Sequence, residues 1–374
     1  MRGASSGQPW RCAVADGNPE AAGVDAVVIG PDHLDAFATN IAAGLRSIGL
    51  TARVVDPRPR QVVRGPSRLA VTARAVGLEA VRRVEPLQRY VDRRVERELA
   101  EADPQLVISV WSDFGPAQVE RFRRRTPRAR WAFWYPDHVA NLGAHRLLLA
   151  PYDHFFFKEP HLVDQLAART SLPVSFLPEA ANPDHHRTEH PVDDAEARRY
   201  ECDVAVAGNL YPYRLLAMEA IPGEVTMHIY GNRGRPLPSR FDRFERARTD
   251  EYVAGRTKAL AFLGAKIVLN TIHYAEFRGV NCRLFEATAC GGFVICHSGA
   301  GVGDFFESGA EVVTVDRKAE LADGIRYYLD APDERSRIAR AGQARAHRDH
   351  TFPRRLTELL EVARRSDLLG GTAQ

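Results

Sequence analysis

Short apolar runs alternate with amphipathic stretches along most of the chain, and this alternation limits the fold more than any single motif. Asp25–Gly30, Thr51–Asp56, Gln105–Val110, Arg130–Tyr135, Asp153–Phe157 and Val174–Leu177 read as strands. Between them apolar residues recur at helical spacing, as at Phe37, Ile41, Leu45 and Ile48. Val76–Asp103 reads as mostly helical, with Pro86 placed to kink or split it. Strands that are apolar throughout, each separated by a helix, belong in a parallel sheet covered on both faces. Pro178–Pro191 interrupts the pattern, and it then restarts. Strands follow at Asp203–Gly208, Val225–Gly231, Lys266–Asn270, Gly292–Cys296 and Glu311–Val315. The expectation is an α/β chain of two Rossmann-like, doubly wound halves facing each other across a cleft. Its parts are a leader (1–24), a first domain (25–178), a linker (179–191), a second domain (192–350) and a final helical segment (351–374) packing back towards the first domain. Ligands of such sheets sit beyond the carboxyl ends of the strands, so the shared cleft is the expected site.

Composition narrows the class. Two domains suit 374 residues, 45% of them apolar. No apolar run reaches the length of a membrane span. The leader lacks an apolar core and does not read as a signal peptide. Five cysteines, an odd number with no CxxC pair, point to a reducing, cytoplasmic setting rather than a zinc or disulfide framework. Net charge is only +3, and the basic cluster Arg121, Arg123, Arg124, Arg125, Arg128 and Arg130 reads as a solvated helix end, so no nucleic-acid partner is expected. Only Lys158, Lys258, Lys266 and Lys318 are lysines, against 51 Lys plus Arg.

Three segments carry candidate chemistry. Gly279-Val280-Asn281-Cys282-Arg283-Leu284-Phe285-Glu286 reads as a loop entering a helix. Free amides and the helix dipole there attract phosphate, while Glu286 can accept from sugar hydroxyls. Gly208-Asn209-Leu210-Tyr211-Pro212-Tyr213-Arg214 ends a strand in glycine and sets a cation at the next helix. Backbone at Gly208 can approach a ligand, and Arg214 can grip a diphosphate. Trp134-Tyr135-Pro136-Asp137-His138 ends a first-half strand, placing Asp137 or His138 to take or orient a hydroxyl proton. A structural role competes in each case: Glu286 as a salt-bridging core acid, Arg214 as a surface cation, Asp137 as a cap. Ser298-Gly299-Ala300-Gly301 can close over a ligand or be an ordinary loop, and Gly30-Pro31-Asp32-His33 reads as a plain turn. His185-His186 reads as linker rather than a metal pair, because adjacent side chains of extended chain diverge.

Taken together these segments resemble the CgeB-like glycosyltransferases, a branch of the retaining nucleotide-sugar transferases of the GT-B fold. The resemblance runs from about Pro104 to Leu360. It is carried by Trp134–Asp137, Phe157-Lys158-Glu159-Pro160, Leu177-Pro178-Glu179-Ala180, Gly208–Arg214, Ile229-Tyr230-Gly231, Gly279–Ala287 and Ala341-Gly342-Gln343 with His350-Thr351-Phe352. It implies that Gly208, Arg214 and possible help from Arg283 bind the donor diphosphate, with neutral Asn209 where the wider fold often has a second cation. It implies that Glu286 grips the ribose and that the amides of Gly279, Val280 and Asn281 face the diphosphate or sugar. Tyr230 and Gly231 would flank the base. The first domain would bind the acceptor and the second the nucleotide-sugar. Relatives often have an acid eight positions before Glu286; Arg278 stands there instead.

No Asp-x-Asp occurs, so the expectation is transfer from a UDP, GDP or dTDP sugar without a cofactor or metal, Arg214 and amides stabilising the leaving diphosphate. Retention comes from the resemblance alone. The competing readings are an epimerase, a phosphorylase, a non-catalytic glycan or nucleotide binder, and a dehydrogenase. No clear cofactor lysine supports a phosphorylase, and no Gly-x-Gly-x-x-Gly follows the first strand as a dehydrogenase would require.

Overall fold

Ala26–Ile29 form β1, and all four residues are wholly buried because helices cover both faces of the sheet around them. The computed structural model describes residues 24–58, 76, 77, 79, 84–143, 146–231, 236–249, 251–297 and 301–369. All of the expected leader except Val24, Asn232 and Arg233 beside the expected base site, and Ser298–Ala300 of the glycine-rich turn lie outside the described residues. The first sheet continues with β2 (Ala52–Val55), β3 (Leu106–Ser109), β4 (Arg130–Tyr135), β5 (His154–Phe157) and β6 (Val174–Phe176). Its order is β2-β1-β3-β4-β5-β6, with every pair parallel. Val27, Ile29, Val107 and Phe133 pack on one face, and Ala26, Val28, Ile108 and Trp134 on the other.

The second sheet comprises β7 (Cys202–Ala207), β8 (Met227–Tyr230), β9 (Ala265–Thr271), β10 (Val294–His297) and β11 (Val313–Val315). It is also parallel, in the order β11-β10-β9-β7-β8. The order reverses between β7 and β9. The loops leaving their carboxyl ends therefore diverge and open a crevice. Gly208 follows β7, and the loop to Glu286 follows β9.

The chain crosses between the sheets twice, and the crossings lie side by side. The Ala181 amide donates to the His350 carbonyl at 2.9 Å, and the Phe352 amide donates to the Ala181 carbonyl at 3.0 Å. The helix Phe352–Leu369 then lies on the first half. Phe352 packs in an aromatic group with Phe37 and Trp134, at centroid distances of 5.7 and 6.2 Å. Gly44 makes this close approach possible: a Cβ there would stand 2.7 Å from Leu356 and 2.9 Å from Phe352.

Two local expectations gain detail. Pro86 marks a break rather than a kink: Val84 is extended, and Pro86 sits in the first turn of the helix Glu85–Ala102, where its missing N–H costs no hydrogen bond. The arginine cluster lies at and beyond a helix end with most members exposed, and several of them are also paired. Arg121 bonds Asp92 at 2.5 Å, Arg123 grips Asp153 at 2.9 Å, and Arg128 pairs with Asp103.

Phe352→Ala should cost about 3–5 kcal/mol through lost burial and a cavity. Urea unfolding followed by intrinsic fluorescence checks this, because Trp134 loses its ring neighbour in the same event.

Candidate active site at the facing sheet edges

Gly208 adopts φ +106°, where a side chain is strained, and a Cβ there would also collide with the Arg283 guanidinium. Arg214 approaches the same point from the other side, its Nη1 3.1 Å from that Cβ position. Arg214 is 3% exposed. Its Nε donates to Thr271 Oγ1 at 2.9 Å, its Nη1 donates to the Asn209 carbonyl at 2.9 Å, and its guanidinium lies 4.8 Å from the Tyr211 ring centroid. Arg283 donates to Asn270 Oδ1 at 3.2 Å. Among the described residues neither guanidinium has a carboxylate within ion-pair distance. Burial, and then the adjacent Arg283 charge, push Arg214 down to about 9. Two like charges, one buried and one half-buried, converging on a side-chain-free backbone make a site for an anion. Gly231 belongs to the same corner, its Cα facing the Gly208 carbonyl so closely that a Cβ would lie 2.9 Å from it.

Tyr230 is not beside this opening. It is 1% exposed, hydrogen-bonded through its hydroxyl to His228 at 3.0 Å and packed near Tyr200. The strand's alternation turns its ring into the core, which corrects the expectation that it flanks a base.

Glu286 lies on the helix Cys282–Ala289 and is 7% exposed. It does not stand alone, because its Oε1 accepts from Lys258 Nζ at 2.9 Å. Lys258 also pairs with Asp35 of the first half, and His186 Nε2 lies 3.4 Å from Asp35 Oδ1. His186 Nδ1 accepts from the Asn182 amide at 3.0 Å, which puts the neutral ring's proton on Nε2. Burial would raise the Asp35 carboxyl, but His186 and Lys258 outweigh it and hold it far below the carboxylate range. Asp35 keeps a left-handed backbone, φ +64°, which fits a residue over-determined by its partners. The ligand atoms of Asp35, His186 and Glu286 lie within 4.8 Å of one another, a spacing a metal ion could use. Lys258 bonds both carboxylates and supplies the positive charge at that spot. His186 is thus a buried member of a charged cluster and not mere linker.

A second lysine repeats the arrangement. Lys158, directly after β5, bonds Glu276 Oε1 at 2.7 Å and lies 3.5 Å from Glu179 Oε2. The three side chains are buried, and they join the first half, the connection and the second half. Next to Lys158, Glu159 accepts from the amides of Phe277 at 2.8 Å, Arg278 at 3.1 Å and Gly279 at 2.8 Å. The Gly279 amide therefore faces a protein carboxylate, not open space for a ligand. Gly279 itself is crowded, since a Cβ would lie 2.8–3.0 Å from Glu276, Lys158 and Glu159 oxygens. Val280 is buried, and Asn281 caps its own helix, accepting from Leu284 at 3.3 Å and donating to the Thr271 carbonyl at 3.1 Å. Arg278 points outward to Asp304 at 3.2 Å.

On the first half, Asp137 accepts from the His138 amide at 2.8 Å and from Asn141 Nδ2 at 2.6 Å. Both carboxylate oxygens serve the turn, which favours the capping role that competed with a base role for Asp137. His138 stacks on His273 of the second half, centroids 4.1 Å apart and planes 2° apart. Its Nδ1 is buried without a hydrogen-bond partner, as is the Tyr135 hydroxyl.

Asp35, Lys158, Glu159, Glu179, Lys258, His273 and Glu276 were not singled out as site residues from sequence. One signal was present for two of them: where nearly every cation is arginine, a retained lysine marks a place that the guanidinium fork does not fit.

Residues 189–361 match the family model described as "Glycosyl transferase-like". That span contains the Gly208 loop, Arg214 and the Gly279–Glu286 segment. A search of curated proteins returned no match. Among solved structures, the chain is similar to a sucrose-phosphate synthase from Thermosynechococcus elongatus, with 13% identity over 91% of this chain and 98% of that one and a TM-score of 0.62. It is similar to an alpha,alpha-trehalose-phosphate synthase (UDP-forming) from Burkholderia vietnamiensis, with 14% identity over 94% and 100% and a TM-score of 0.60. It is also similar to Anabaena HepE in complex with UDP-glucose, with 12% identity over 90% and 99% and a TM-score of 0.57. The fold is GT-B, two parallel α/β sheets facing each other.

Two outcomes are expected. Gly208→Ala should displace Arg283 and weaken inorganic pyrophosphate binding, read by calorimetric titration. Burial raises Glu179 to about 7, against an ordinary value of 4.5, although Lys158 opposes this. Between those pH values the folded state binds more protons, so this group's contribution to stability falls as pH rises. Glu179→Gln should therefore gain on wild type between pH 5 and 8, by on the order of 1–3 kcal/mol in paired denaturation curves.

Proposed function

We propose that the protein is a glycosyltransferase using a nucleoside-diphosphate sugar, of the CgeB-like branch, acting with retention and without a metal. The observation that carries the reading is the pair of guanidiniums, Arg214 buried and Arg283 half-buried, converging at Gly208 without a carboxylate among the described residues. A diphosphate supplies the missing negative charge, and helix and strand termini orient it. The family match over this half and the fold shared with HepE, whose structure holds UDP-glucose, support the same assignment.

The nucleotide sits in the second half, its diphosphate against Gly208, Asn209 and the two arginines. The ribose approaches Glu286, whose Oε1 already accepts from Lys258 and whose other oxygen can accept from hydroxyls. During transfer the bond between the sugar's anomeric carbon and the phosphate oxygen breaks, and its electrons stay on the leaving diphosphate. Arg214 and Arg283 stabilise that growing charge. The acceptor oxygen forms the new bond to the anomeric carbon, and its proton passes towards His138. Among the described residues no helix is long and apolar enough to cross a membrane. We place the protein in the cytoplasm, where nucleotide-sugars are made.

Wild-type protein should be thermally stabilised by one of UDP, GDP or dTDP. Arg283→Ala should weaken that nucleotide about tenfold to a hundredfold, the worth of a charge-assisted hydrogen bond, while the matching nucleoside loses little. Equal weakening of nucleoside and nucleoside diphosphate would overturn the assignment of the arginines.

A further inference from the structure

The loop from His273 to Gly279 is tied down from within. Glu276 reaches inward to Lys158 at 2.7 Å, and the amides of Phe277, Arg278 and Gly279 donate to Glu159. With those anchors fixed, the neighbouring rings turn outward: Tyr274 is 67% exposed and Phe277 56%. Neither ring is isolated. Tyr274 lies 4.3 Å from His273 and 5.5 Å from Tyr213, and Phe277 lies 5.3 Å from His161 of the first half. His273 in turn stacks on His138. A strip of aromatic faces therefore lines the seam between the halves and leads to His138.

At its inner end are two buried polar atoms without partners, the Tyr135 hydroxyl and His138 Nδ1. Tyr135 is the last residue of β4 and pairs across the sheet with Phe157, the residue before Lys158, so it stands at the same seam. Orphaned buried polar atoms in a native structure call for a partner. Exposed ring faces on a rigid loop call for a ligand of matching shape. A pyranose answers both, with apolar C–H faces for the rings and hydroxyls for the oxygen and nitrogen. A purely apolar acceptor would use the rings and leave both polar atoms desolvated and unpaired.

We propose that this seam is a subsite for a carbohydrate acceptor, with Tyr274 and Phe277 stacking on its sugar ring and Tyr135 and His138 binding its hydroxyls. The proposal rests on the transferase reading for the acceptor's role, but the sugar binding itself can be tested alone.

The test is a glycan array probed with the full chain, with and without the nucleoside diphosphate that stabilises it. Retained glycans are then titrated against wild type, Tyr274→Ala and Tyr135→Phe. The expected result is at least tenfold weaker glycan binding for Tyr274→Ala and severalfold for Tyr135→Phe, with nucleotide affinity unchanged within twofold. Tyr135→Phe should keep or raise the melting temperature, since it removes an unpaired buried hydroxyl; a merely structural role would lower it. The proposal fails if no glycan is retained, if both variants bind glycan as wild type does, or if only an apolar probe such as 4-nitrophenol competes at the seam. If glycans bind and no nucleoside diphosphate does, the transferase reading falls and the carbohydrate subsite stands.

Discussion

Each of two buried ammonium groups is held between carboxylates drawn from different parts of the chain, and these contacts set how the two sheets face each other. Lys158 joins Glu276 and Glu179, and Lys258 joins Asp35 and Glu286. Burying such charges is costly unless every one is paired and well bonded, so the geometry tolerates little displacement. A compact ammonium suits this position, because it bonds in several directions from one small centre. With the facing fixed, the amides of Phe277 to Gly279 meet Glu159, and His138 comes to rest flat on His273.

The same cleft holds charges of both signs, kept apart by its architecture. The carboxylates are neutralised by lysines at the contact between halves. The two arginines stay uncompensated at the reversal of strand order in the second sheet. Among the described residues the two cleft lysines are matched by carboxylates and these arginines are not, so an anion is drawn to the arginine corner. The burial that lowers Arg214 also strengthens its pull on an arriving phosphate, because little water screens it there.

Much of the architecture could be read in advance, and for a clear reason. Runs such as QLVISV and RWAFWY are apolar at every position, a pattern that only a sheet covered on both sides requires. The arginine and glycine pairing at Gly208 was also legible, because a strand ending in glycine before a helical cation is a local arrangement. What escaped was long-range. Glu159 finds its partners more than a hundred residues away, and nothing near it in sequence announces amides at Phe277 to Gly279. Asp137 could be read as a base or as a cap, and the choice turns on whether Asn141 folds back to it. Tyr230 looked like an aromatic at a strand end, yet strand alternation decided which way its ring went.

The adjoining crossings at Ala181 and His350–Phe352 act as a spine, so the halves can separate by turning about one line. Lys158 and Glu179 lie on the first half and beside that line, while Glu276 belongs to the second. Lys258 and Glu286 travel together on the second half, and Asp35 stays near His186. Turning therefore divides each cluster so that no ammonium is stranded: Lys158 retains Glu179, and Lys258 retains Glu286. Glu276 parts from Lys158 and Asp35 from Lys258, and each freed carboxylate meets solvent, where a lone carboxylate is at ease.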